Sequence, residues 1–134
     1  YKHIKQQYGH ALMQDSPHLL PWPDHLVKLW HNAYSYYVTN SRETAFIEQY
    51  ENSPYYEGWE VSGVLEDENM QALMKMIQQD FSRGYIIEVP FDVLYELTLG
   101  VAVGLAKREI SGTLQTTDQL LDLVAQACVR AVAK

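Results

Sequence analysis

Apolar residues along this 134-residue chain recur three and four positions apart, the spacing of a helix with one buried face. Ile4, Tyr8, Ala11 and Leu12 keep one side of a helix over residues 2–14, and Asp15-Ser16-Pro17 stops it. Leu19-Leu20-Pro21-Trp22-Pro23 is a stiff connector, because each proline disfavours helix in the residue before it. Pro23 suits the first turn of a second helix that runs to about Thr39. Leu26, Trp30, Ala33 and Tyr37 form its inner stripe, with Leu29 and Tyr34 beside them. Asn40 with Glu43 reads as a capping box for a third helix, 41–51, on which Phe46 and Tyr50 face together. A loop over 55–63 leads into a fourth helix, about 64–83, with the stripe Met70, Leu73, Met74, Ile77, Phe81. Acids in its first turns and Arg83-Gly84 at its end suit the helix dipole and a glycine cap.

The link from Tyr85 to Val89 reads as a loop, because no partner strand is in view. Pro90 opens a fifth helix, 90–111, apolar over most of its circumference through Val93, Leu94, Leu97, Val101 and Leu105. Gly100 and Gly104 lie within it. Each costs about 1 kcal/mol relative to alanine, so close approach of another backbone is expected. Thr116 with Gln119 reads as a capping box for a sixth helix, 117–133, bearing Leu120, Leu121, Val124, Cys128 and Val132. The pattern predicts one all-α domain over residues 1–134, a bundle of about six helices.

Composition adds exclusions. A chain of this length buries a core without disulfides, and a lone cysteine builds no disulfide framework, which points to a reducing, cytoplasmic setting. No apolar run approaches the ~18 residues that span a membrane, so no membrane partner is expected. The chain begins at Tyr1 without methionine and reads as a fragment of something longer. Residues 41–68 hold eight acids against Arg42 alone, a segment that accounts for the net charge of −7. So acidic a surface repels phosphate and is not expected to bind nucleic acid by itself.

Catalytic chemistry is hard to find. His3 and His10 share a face but form half a metal site, and His3, His10, His18, His25 and His31 read as surface histidines. Paired Glu-x-x-His motifs, a Gly-x-Ser-x-Gly elbow, a phosphate loop and a Gly-x-Gly-x-x-Gly turn are all absent. Neither an enzyme activity nor a cofactor is expected. Cys128 falls on the apolar stripe of the last helix and reads as a small buried hydrophobe. The positive signal is aromatic and sulfur-rich: Trp30, Tyr34, Tyr37, Phe46, Tyr50, Met70 and Met74 read as inward-facing on three consecutive helices. Such a set builds either a plain core or a cavity in which tyrosine hydroxyls serve as polar handles.

The stretch Phe46-Ile47-Glu48-Gln49-Tyr50-Glu51-Asn52-Ser53-Pro54-Tyr55 resembles the core-helix signature of the ligand-binding domain in TetR-type transcriptional regulators. Leu94 to Gly112 resembles the first dimerisation helix of that family, and Thr117 to Lys134 the second. Residues 1–14 resemble the helix that links the DNA reader to the sensor, while the helix-turn-helix itself is not in this sequence. The resemblance implies an effector-sensing and dimerisation domain of a regulator, a repressor in the first instance. A small molecule then alters the operator affinity of the full-length homodimer, and operator DNA is met only through the N-terminal domain. The effector is expected to be apolar or aromatic and to be lined by Trp30, Tyr34, Tyr37, Phe46, Tyr50, Met70 and Met74. A four-helix dimer seam is expected from Leu97, Gly100, Val101, Gly104, Leu121, Val124 and Cys128. The alternative is a helical protein–protein interaction module without a small-molecule site.

Overall fold

The computed structural model describes residues 1–58, 63 and 66–134; the expectations for the loop at 59–62 and for the helix start at 64 and 65 lie outside the described residues. Among the described residues there are seven α-helices and one 3-10 turn. They are α1 (Lys2–Leu12), the turn Pro17–Leu19, α2 (Asp24–Thr39), α3 (Ser41–Glu51), α4 (Glu68–Ser82), α5 (Phe91–Leu97), α6 (Leu99–Ile110) and α7 (Asp118–Val132).

The long aromatic helix α2 is the axis of the bundle. It packs most extensively along α6, with α1 and α7 on its other sides. Leu29, Trp30, Ala33, Tyr34, Tyr36 and Tyr37 are buried on it, so helical spacing covers most of its circumference with core contacts. Fully burying each large side chain contributes about 1.5–3 kcal/mol. Tyr8 and Leu12 reach this core from α1, Met70, Leu73 and Met76 from α4, Leu99, Ala102, Val103 and Ala106 from α6, and Leu121, Ala125 and Cys128 from α7.

The predicted fifth helix is two helices. Thr98 has φ −123° and ψ −90°, and its hydroxyl donates to the Leu94 carbonyl at 2.7 Å, occupying an acceptor the helix would otherwise use. The break turns Leu99, Ala102, Val103 and Ala106 inward and leaves Val93 and Leu97 exposed. Both predicted capping boxes are also corrected. The Asn40 amide donates to the Tyr36 carbonyl at 3.0 Å, closing α2 rather than opening α3. The cap of α7 is Thr117, whose hydroxyl accepts from the Leu120 N–H at 3.1 Å. In α4, Asp67 is a true cap, accepting from the N–H groups of Asn69 and Met70 at 3.1 and 3.2 Å.

Gly84 ends α4 in the left-handed region, with φ +72° and the Tyr85 N–H donating to the Asp80 carbonyl at 3.0 Å. The following link does find a partner, contrary to the loop expectation. Ile86 forms an antiparallel bridge with Ala133, and the Ile87 N–H donates to the Val132 carbonyl at 2.9 Å. At the other end of the bundle α1 stops in two consecutive left-handed residues, Asp15 (φ 60°) and Ser16 (φ 52°). Its last carbonyls are collected from α2: the buried Asn32 amide donates to Leu12 O at 2.8 Å and to Gln14 O at 3.1 Å.

Candidate ligand site

Two hollows border α5 and α6. The first is an apolar cavity of about 30 Å³ enclosed by the starts of α2 and α5, the second half of α4, and Ile86 and Val132 from the terminal bridge. Leu26, Leu29, Leu73, Met76, Ile77 and Leu94 are among its walls. One water needs roughly 10–15 Å³, so as it stands the cavity is too small for an organic effector. Its polar element is a hydrogen-bonded pair: His25 Nε2 lies 2.7 Å from Asp80 Oδ2, with both side chains buried. Sequence reading placed His25 on the surface and missed the pair. The signal was present, because Asp80 stands in register with Leu73 and Ile77 on the inner stripe of α4. A buried carboxylate needs a partner, and the start of α2 supplies it.

The second hollow is a polar cleft of about 340 Å³ between α1, α3 and α6, lined by Lys5, Tyr37, Glu48, Glu51, Glu96 and Lys107 among others. Lys5 is only 2% exposed and pairs with Glu51 at 3.5 Å. Burial pushes its ammonium pKa down and Glu51 opposes that shift. Glu51 also accepts from the Tyr1 hydroxyl, and Tyr1 stacks on Tyr50 with ring centroids 4.6 Å apart. Lys107 pairs with Glu48 at 3.1 Å. The first residues of α1 are thus fastened to α3 by charge and by stacked rings.

Tyr95 lines both hollows. Its hydroxyl lies 2.7 Å from that of Tyr8, a fully buried residue of α1. Burial pushes the pKa of each of these phenols up.

The seven residues expected to line a ligand site are dispersed. Trp30, Tyr34, Tyr37 and Met70 are buried in the core around α2, Met74 and Tyr50 are half-buried, and Phe46 is 45% exposed, an outward position that corrects its inward assignment. α3 presents Thr44 and Ile47 inward instead. Of the seven, Tyr37 alone lines either hollow, at the polar cleft. Tyr34 bonds Thr116 at 2.7 Å. The indole N–H of Trp30 is buried without a conventional partner, and the Cys128 sulfur is the polar group beside it.

The seven residues expected at a dimer seam also divide. Leu121 and Cys128 are buried within this chain, Cys128 with its sulfur 3.8 Å from the Thr98 carbonyl. Burial pushes its thiol pKa up, which suits a packed side chain and not a nucleophile. Val101 and Val124 are half-buried and Leu97 is exposed. Gly100 and Gly104 line the cleft. A Cβ on Gly100 would sit 3.1 Å from the Tyr95 carbonyl, a tight fit beside the break at Thr98, while a Cβ on Gly104 meets nothing within 4 Å. Among the described residues no three His, Cys, Asp or Glu side chains gather to hold a metal ion, and no helix is long and apolar enough to cross a membrane.

Fold and hollows define an all-α bundle that wraps an aromatic helix and keeps its cavities between helices. The family described as "Tetracyclin repressor-like, C-terminal domain" matches residues 21–133, and the chain belongs to it. The fold is shared with a TetR family transcription regulator from Marinobacter aquaeolei VT8, with a TM-score of 0.86 at 20% identity over 98% of this chain and 68% of that one. It is shared equally with a putative TetR family transcriptional regulator from Vibrio parahaemolyticus, with a TM-score of 0.81 at 17% identity over 99% of this chain and 71% of that one. A comparison with curated proteins found no match.

Proposed function

We propose that the chain is the effector-sensing and dimerisation domain of a TetR-type repressor, in which a small molecule lowers the operator affinity of the full-length homodimer. Family membership supports the regulatory setting. The observation that carries the sensing role is the Tyr8–Tyr95 contact, because it ties α1 to the wall of both hollows. In the full-length protein α1 leads to the DNA reader. An effector that moves Tyr95 therefore acts on α1, and it shifts the equilibrium by no more than its differential affinity for the two arrangements.

Dimerisation rests on the apolar surface of α5, α6 and α7. Val93, Leu97 and Leu123 are exposed there, Leu123 by 63%, with Val101 and Val124 half-buried among them. A two-fold seam that brings these helices together from two protomers would cover that surface. Leu121 and Cys128 support it from behind, and Gly100 and Gly104 stand at its cleft-side margin.

The test is operator binding by the full-length protein in the presence of a panel of small molecules. Compounds that raise the thermal midpoint of this domain are expected also to release a labelled operator duplex. Compounds that bind the domain and leave operator affinity unchanged would contradict the sensing role.

A further inference from the structure

The two hollows differ in chemistry, and neither by itself suits an organic effector. The apolar cavity, at about 30 Å³, has the right lining and too little room, whereas the cleft, at about 340 Å³, has room and a charged lining. Tyr95 is the one residue common to both walls among the described residues.

The charge of the cleft selects the ligand. Lys5 is matched by Glu51 and Lys107 by Glu48, while Glu96 has no cation partner among the described residues. The Glu96 carboxylate folds against Gly100, where a Cβ would come within 3.3 Å of its Oε2. Tyr37 and Tyr95 belong to the same lining. One carboxylate without a cation partner, in a lining that also holds two tyrosines, favours a cationic head, by charge pairing first and by the ring quadrupoles second.

We propose that the hollows are two halves of one site for an amphipathic cation, with an apolar body in the cavity behind Tyr95 and an ammonium-type head in the cleft against Glu96. The proposal rests on the effector-sensing reading above and names its ligand class. Entry of the apolar body displaces the Tyr95 ring and breaks its bond to Tyr8, which is how occupancy reaches α1. Anionic amphipaths of the same length meet Glu96 unfavourably, and uncharged ones gain only the apolar half.

The test is calorimetric titration of the purified protein with decyltrimethylammonium, decanol and decanoate. The ammonium compound is expected to bind at least about tenfold more tightly than the other two. Glu96→Gln, at an exposed position that leaves the fold intact, is expected to abolish that preference without changing the affinity for decanol. Tyr95→Phe, which has no hydroxyl tie to break, is expected to bind the ammonium compound about fivefold more tightly than the unaltered protein. Binding of none of the three, equal binding of all three, or an undiminished preference in Glu96→Gln would overturn the proposal. Failure here would leave the sensing role standing, because that role is judged separately by operator release with compounds of other classes.

Discussion

The hydroxyls of Tyr8 and Tyr95 lie 2.7 Å apart across 87 positions of sequence, and they join the first helix of the chain to the helix that walls both hollows. The contact joins two buried phenols. Removing one hydroxyl takes this hydrogen bond away, so Tyr8→Phe and Tyr95→Phe are each expected to lose about 0.5–1.5 kcal/mol of stability. The double variant is expected to lose less than the sum of the two. Chemical denaturation of the four proteins measures this coupling, and strict additivity would show that the contact carries none.

Asn32 is the polar residue that closes α1 from α2. Asn32→Leu keeps the volume and strands the Leu12 and Gln14 carbonyls near the left-handed pair Asp15-Ser16. A loss of about 1–3 kcal/mol is expected, with earlier hydrogen exchange at the end of α1 than elsewhere. Unchanged exchange there would show that solvent replaces the amide without cost.

Stability is expected to fall steeply above pH 10. The phenols of Tyr8, Tyr37 and Tyr95 all have pKa values raised above the ordinary 10.0, with burial as the leading cause. A group with a raised folded pKa keeps its full contribution below the unfolded value and loses it as pH rises past that value. The unfolded chain then releases phenol protons that the fold retains. Lys5 acts in the opposite sense, because its pKa is lowered from 10.5 by burial and the fold binds its proton less well than the unfolded chain does. Three phenols outweigh one ammonium. Denaturant midpoints measured from pH 8 to 11 are expected to drop, and Lys5→Met is expected to steepen that drop. A midpoint that rises over this range would contradict the burial of the phenols.

Gly104 separates intrachain from interchain packing. Nothing lies within 4 Å of a Cβ built there, so Gly104→Ala is expected to stabilise an isolated protomer by about 1 kcal/mol through helix propensity. If a second copy approaches at that margin, the same substitution weakens association. Thermal midpoints at low and high protein concentration separate the two effects. A gain that is equal at both concentrations would place Gly104 away from any seam.

The helical architecture is legible in the sequence because helix faces are local: the α2 stripe is buried as expected, while on α4 and α7 the buried face is turned somewhat, keeping Met70, Leu73, Leu121, Cys128 and Val132 and adding Met76, Asp80, Ala125 and Val129 in place of half-buried Met74, Phe81, Leu120 and Val124. What escapes is set by long-range geometry or by one side chain competing with the backbone. Thr98 divides a predicted helix because its hydroxyl claims the Leu94 carbonyl, a choice that residue type leaves open. Asn40 caps the helix behind it for a similar reason. The bridge of Ile86 to Ala133 joins segments 47 positions apart and leaves no periodic trace. The hollows escape for a related reason. Aromatic residues on inner stripes, such as Trp30 and Tyr34, fill the core themselves. The cavity walls come instead from Leu26, Ile77 and Leu94, from Ile86 and Val132 beside the terminal bridge, and from the His25–Asp80 pair, whose partners stand 55 positions apart.

In the proposed function two copies of this chain associate through α5, α6 and α7 and hold a small molecule. Native mass spectrometry of the purified protein tests it most directly. A dimer is expected at micromolar concentration, with each protomer able to take up added small-molecule mass. A monomer at every concentration that gains no mass from any compound offered would contradict it.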